Sequence, residues 1–288
     1  MQVPVSARIL RMIACWLLLT VLAACQTSVP YFAEPSPHLT SGRPDPRLVM
    51  SRAISERGAT ILQRIPVVKG KLGLAPGFED HLLSALQPLD IVMVRSPRGP
   101  VRNGIPSYFT HAIIWLGTKR QLMAAGLWNH PSLAPHRGDI EAGNVALEAI
   151  NTHVHLMKLS RVTDRDVLAI VRPPQSALRH RGRVLARALD TIGRPYDTNL
   201  DLDDRDRLTC AELVVEVFPS LKLPVRYSLG RRTLIPDDIV RLAAEGEGGY
   251  RLREAFATKP DGRYYRLRRD EVQKRLTTPA RTPPFGYY

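Results

Sequence analysis

Leu208-Thr209-Cys210-Ala211-Glu212-Leu213-Val214-Val215-Glu216-Val217-Phe218 is the stretch from which the rest of the chain can be read. Its apolar residues stand three, four, seven and eight places after Cys210, which is one face of an α-helix with the cysteine on it. Thr209 followed three residues later by Glu212 forms a capping box, so Thr209 is the predicted N-cap and Cys210 the first helical residue. A thiol at that place sits beside unpaired backbone N–H groups and the positive end of the helix dipole, which favours the nucleophilic thiolate. A small apolar residue packing its helix into the core would leave the same pattern. Cys210 therefore needs partners.

A thiolate nucleophile needs a base that controls its proton and later protonates the leaving group. The chain has eight histidines. Most lie in loop-like or polar stretches, but His111 does not: Tyr108-Phe109-Thr110-His111-Ala112-Ile113-Ile114-Trp115-Leu116-Gly117 places it inside an apolar strand. Burying an imidazole there is costly unless it is hydrogen-bonded. Glu148 repeats the anomaly as the one carboxylate of Val145-Ala146-Leu147-Glu148-Ala149-Ile150. A core histidine bonded to backbone would account for His111 alone. Two lone ionisable groups in two apolar strands are best explained by each other, the carboxylate accepting from the imidazole and orienting it.

His111, Glu148 and Cys210, in that order, resemble the permuted papain-like enzymes of the YaeF/YiiX group, relatives of the NlpC-type cell-wall peptidases and of lecithin:retinol acyltransferase. The resemblance covers residues 88–220. It includes Pro88-Leu89-Asp90-Ile91-Val92, Thr110-His111-Ala112, Gly193-Arg194-Pro195-Tyr196-Asp197 and Thr209-Cys210-Ala211-Glu212-Leu213-Val214. It implies an α+β, circularly permuted papain-like (NlpC-like) fold with a central antiparallel sheet flanked by helices. It also implies Cys210 as nucleophile, His111 as base and then acid, Glu148 as orienter, and Tyr196 as a cleft-lining residue or second oxyanion donor; a core tyrosine is the other reading of Tyr196. The chain departs from the group at Leu89, where Gly is usual, and at Ala211, where Ser is usual. No cofactor and no metal are implied.

Outward from these motifs, Arg8 and Arg11 precede the short apolar run Met12–Leu22, too short for the ~20 residues that cross a bilayer. This is the pattern of a secretory signal, and Leu22-Ala23-Ala24-Cys25 resembles a bacterial lipobox. The expectation is a signal peptide over 1–24, an acylated Cys25 as anchor, a Pro-rich tether to 46, a catalytic domain over 47–260, and a basic, Pro-rich tail over 261–288. Gln26 after the cysteine suggests, by resemblance, an outer-membrane lipoprotein facing the periplasm. Cys210 is then the one thiol left in the mature body of a chain with three cysteines.

Strands are predicted over Asp90–Arg95, Tyr108–Gly117, Arg120–Leu127, Val145–Ile150, His153–Leu159 and Val167–Arg172, and helices over Leu48–Ile65, Phe78–Leu86, Ser176–Ile192, from Cys210, and over Asp237–Ala244. His153 and His155 share one strand face and could begin a zinc site, but no third ligand of matching context accompanies them; His153 is otherwise an alternative partner for the catalytic base. Asp201–Asp206 lacks the sixth-place Gly of a calcium loop. The net charge of +14 invites a nucleic-acid reading. The export signal, the 6% aromatic content and the lack of a known binding module speak against it. Anionic lipid or polysaccharide suits the arginines of the tail better. The expected activity is cysteine-dependent hydrolysis or acyl transfer at an amide or ester of a cell-envelope lipid or peptide. The competing expectation is an idle envelope lipoprotein that binds such a ligand in the same cleft.

Overall fold

The computed structural model describes residues 70–95, 107–150, 152–228 and 231–277. The signal peptide, Cys25, the tether, the Leu48–Ile65 helix and the last eleven residues lie outside them. The elements run α1 (Phe78–Ala85), β1 (Ile91–Arg95), β2 (His111–Trp115), α2 (Lys119–Ala124), α3 (Arg137–Glu141), β3 (Asn144–Ile150), β4 (His153–Lys158), α4 (Leu159–Thr163), β5 (Val167–Arg172), α5 (Gln175–Leu178), α6 (Arg181–Asp190), α7 (Cys210–Val217), β6 (Arg226–Ser228), β7 (Arg231–Thr233), α8 (Pro236–Glu245), β8 (Arg251–Thr258), β9 (Tyr264–Arg266) and α9 (Arg269–Thr277). Seven strands form one antiparallel sheet in the order β4-β3-β2-β1-β5-β8-β9, and β6 and β7 make a separate hairpin.

The continuous apolar runs are the central strands. Ile91–Val94 and Ala112–Trp115 are buried on both faces, which is why they read as unbroken hydrophobic stretches rather than alternating ones. α7 lies across β2 and β3, and α8 across β5 and β8. The predicted face of α7 is the one that packs: Leu213, Val214, Val217 and Phe218 are buried. β1 and β5 are also joined at one end by charge. Arg172 donates two hydrogen bonds to the buried Asp90 carboxylate, at 2.9 and 2.8 Å, and the same carboxylate accepts from the Gln87 N–H.

The free side of β4 is occupied. Val154 N–H donates to the Arg194 carbonyl, Gly193 N–H to the Val154 carbonyl and Tyr196 N–H to the Thr152 carbonyl, at 2.8–3.0 Å. Gly193-Arg194-Pro195-Tyr196-Asp197 therefore runs as a strap along the sheet margin. Gly193 has φ 87°, a left-handed conformation that suits glycine where the chain leaves α6 and turns onto the strand.

Three expectations are corrected. Arg120–Leu127 is not a strand, because Lys119–Ala124 is helix α2. Thr118 Oγ1 accepts from the Gln121 N–H while Gln121 Oε1 accepts from the Thr118 N–H, so a local capping box decides the conformation. The helix drawn over Ser176–Ile192 is two helices, interrupted at Arg179-His180, where His180 leaves helical geometry at φ −112°, ψ 35°. The boundary at 260 falls inside folded structure. β8 and β9 extend the sheet, and α9 seats Val272 in the core, so residues 261–277 belong to the domain and are not a tail.

Candidate active site

His111 opens β2, and Glu148 lies on β3 opposite Ile113. Side chains two apart on a strand share a face, so this register makes His111 and Glu148 diagonal neighbours. Their contact is direct: His111 Nε2–H donates to Glu148 Oε2 at 2.8 Å, with both residues under 8% exposed. α7 crosses above this pair and brings its first residue, Cys210, close enough to the imidazole to interact with it electrostatically. Because Nε2 is committed to Glu148, Nδ1 is the ring nitrogen left for the sulfur. Two of the three residues singled out from sequence, His111 and Glu148, are thus in direct contact, with Cys210 beside the imidazole.

The electrostatics follow from that arrangement. Burial by itself would lower the His111 imidazolium, but its interactions with Cys210, and with the Glu148 carboxylate behind the ring, raise it from 6.5 to about 9. Burial would likewise raise Glu148, yet hydrogen bonds from His111 and His155 outweigh it and hold the carboxyl well below the usual carboxylate range. The pair thus favours an ionised carboxyl against a protonated imidazole.

The capping box expected at Thr209 is present. Thr209 Oγ1 accepts from the Glu212 N–H at 3.2 Å, and Glu212 Oε2 accepts from the Thr209 N–H at 2.8 Å. These bonds use the N–H groups of Thr209 and Glu212, and the Cys210 N–H is one of the first-turn donors that have no partner within the helix. Burial raises the Glu212 carboxyl to about 7, with Asp197 and Asp201 adding to it against the bond from Thr209. Its Oε1 is buried without a hydrogen-bond partner.

Tyr196 lies in the cleft beside Cys210, together with Phe109, Thr110, Leu200, Leu234 and Pro236. Among the described residues lining this cleft, none carries a charge. Burial, reinforced by Cys210, Asp197 and Glu212, raises the Tyr196 phenol, so its hydroxyl keeps a proton to donate. Ala211, at the position where the family usually has Ser, is buried and does not line the cleft.

Two residues escaped the sequence reading. Asp237, in the first turn of α8, accepts from the N–H groups of Tyr108 and Phe109, both at 2.7 Å, and so pins the chain just before His111. Its signal was present, an acidic residue opening a helix, but nothing in the sequence gave it a partner 128 residues away. His155 was noticed only as part of a possible zinc pair. In the structure it faces Glu148 across β3 and β4, and His153 is bonded instead to Thr152.

A thiol opening a helix, an imidazole from a neighbouring sheet strand and a carboxylate behind it, with the histidine preceding the cysteine in sequence, define a papain-like fold in permuted order. Residues 85–260 match the model of the family described as permuted papain-like amidase enzyme, YaeF/YiiX, C92 family, and the chain belongs to that family. Its activity class is accordingly that of a papain-like amidase. No curated protein and no solved structure matches the chain.

Proposed function

We propose that the protein is a lipid-anchored, extracytoplasmic thiol hydrolase or acyltransferase, with Cys210 as nucleophile, His111 as proton carrier and Glu148 as its orienter. The observation that supports this reading is the buried His111–Glu148 hydrogen bond beneath the start of α7, where Cys210 interacts electrostatically with the imidazole. The Cys210 sulfur attacks the carbonyl carbon of an amide or ester, and the oxyanion meets the Cys210 N–H and the Tyr196 hydroxyl. Imidazolium His111 gives its proton to the departing amine or alcohol as that bond breaks, leaving a thioester. Water or another acceptor then returns a proton to His111 as it attacks the thioester, and sulfur leaves. The uncharged cleft favours a substrate without charge next to the scissile bond, and the lipobox ending in Cys25 supports a cell-envelope lipid or peptide as its source.

The test is capture with an acyl or peptidyl thiol-trapping probe, followed by mass spectrometry of the adduct. Wild type should be labelled on Cys210. Cys210→Ala should lose turnover while keeping its fold, and His111→Ala should lose at least ~10³-fold in turnover. Labelling of Cys210 that is indifferent to His111→Ala would overturn the triad.

A further inference from the structure

We propose that His155 is a fourth member of the site, a positioning residue that holds the oxygen of Glu148 not used by His111. The inference rests on the triad reading above and extends it to a residue outside the motifs that point to the triad.

The geometry is specific. Glu148 and His155 are directly paired in the β3–β4 register, so their side chains rise from adjacent strands on the same face. His155 Nε2 lies 3.3 Å from Glu148 Oε1, whereas His111 Nε2 lies 2.8 Å from Glu148 Oε2. The carboxylate therefore has a different imidazole on each oxygen. A carboxylate held at one oxygen can still swing; held at both, it presents a fixed acceptor to His111.

The protonation state follows from acceptors alone. His155 Nδ1 lies 3.0 Å from the His153 carbonyl oxygen, which can only accept, so Nδ1 carries hydrogen. An ionised carboxylate can also only accept, so Nε2 must carry hydrogen as well. Both contacts are satisfied together only by the doubly protonated ring. The hydrogen bond to Glu148 indeed raises His155 above its ordinary value, with burial and the like charge of His111 opposing. Two further titratable or charged groups stand near: the ring of His153, its centroid 5.4 Å from that of His155, and the buried guanidinium of Arg165, which interacts with Glu148 from beyond α4. Cys210 faces the cluster only through His111.

One consequence distinguishes positioning from mere packing. Unlike His111, His155 is part-exposed on the outermost strand of the sheet. A neutral ring carries hydrogen on one nitrogen alone, so on deprotonation it can no longer donate to both the His153 carbonyl and Glu148 Oε1, and the clamp loosens. Activity should therefore carry an alkaline decline that belongs to His155 in addition to that of His111. Glutamine at this position offers an amide N–H at every pH and removes the His155 contribution.

The experiment is the pH profile of Cys210 alkylation by iodoacetamide, and of turnover where a substrate is in hand, for wild type, His155→Ala and His155→Gln. His155→Ala should lower the neutral-pH rate about tenfold. His155→Gln should return it to within about threefold of wild type and move the alkaline limb to higher pH. His111→Ala run in parallel separates the two readings. If it leaves alkylation unchanged, the triad itself fails. If it abolishes the profile while both His155 variants superimpose on wild type, only the role of His155 fails. A loss in His155→Ala that glutamine neither restores nor shifts in pH marks a structural residue and also overturns the proposal.

Discussion

Asp90 and Glu148 are both carboxylates buried in the sheet, yet they do different work because their partners differ. Asp90 is 1% exposed and gripped by Arg172 from the far side of β1. Removing the guanidinium strands a buried charge, so Arg172→Ala should cost ~3–5 kcal/mol in denaturant unfolding without touching the cleft. Glu148 is paired with titrating groups instead, and its contribution depends on pH. Its depressed carboxyl stabilises the fold above the unfolded value of 4.5, and that stabilisation is lost as pH falls. His111, raised to about 9, stabilises fully below 6.5 and loses that contribution as pH rises through about 9. The stability gap between wild type and His111→Ala should accordingly be widest between these limits, near pH 5–6.5, and close above pH 9. At this scale the sequence was most legible where one polar residue interrupted an apolar run, as at His111 and Glu148. It was least legible at His155, whose alternation with His153 was plain but whose facing residue depended on a strand register that no local pattern specifies.

Among the elements, α7 carries the nucleophile and owes its start to one hydroxyl. Thr209→Ala should cost ~1 kcal/mol of stability and slow alkylation of Cys210, since the helix end that presents the thiol frays; thermal melting and alkylation rate read the two effects separately. The turn into β1 illustrates a contest between backbone and side chain. Leu89 holds φ 74°, the conformation glycine adopts most easily, which gives a physical reason for the glycine usual at this place in the family. Leucine there is strained by ~1–2 kcal/mol but buries its side chain completely, a gain of ~1.5–3 kcal/mol. Burial wins narrowly, so Leu89→Gly should lower stability by about 1 kcal/mol rather than raise it. Helices anchored by caps are readable from sequence: the Thr209–Glu212 box marks the start of α7, and the equivalent Thr118–Gln121 pair marks the start of α2, where the short apolar stretch by itself suggests a strand.

For the molecule as a whole, the α+β class, the antiparallel sheet and the family were reachable from four short motifs, whereas the order of the strands, set by long-range pairing, was not. The C-terminal part was not, because its arginines disguised it. In β8, β9 and α9 the charges lie on the outer face while Phe256, Leu267 and Val272 are buried, and Phe78 meets Phe256 and Tyr264 edge-on at 5.4 and 5.1 Å. Cutting the chain after residue 260 removes Leu267 and Val272 from the core and uncovers Phe78. The loss of ~3–6 kcal/mol should lower the melting temperature by roughly 10 °C or more, where a dispensable tail would leave it unchanged.

The strap of residues 193–196 has a consequence beyond the cleft it leads into. By taking up outward-facing hydrogen-bonding groups at the start of β4, it blunts that end of one margin of the sheet, while the opposite margin carries the three-residue β9, which ends in Arg266. A neighbouring copy meets a shortened template at the first rim and positive charge at the second, which disfavours edge-to-edge pairing into ribbons.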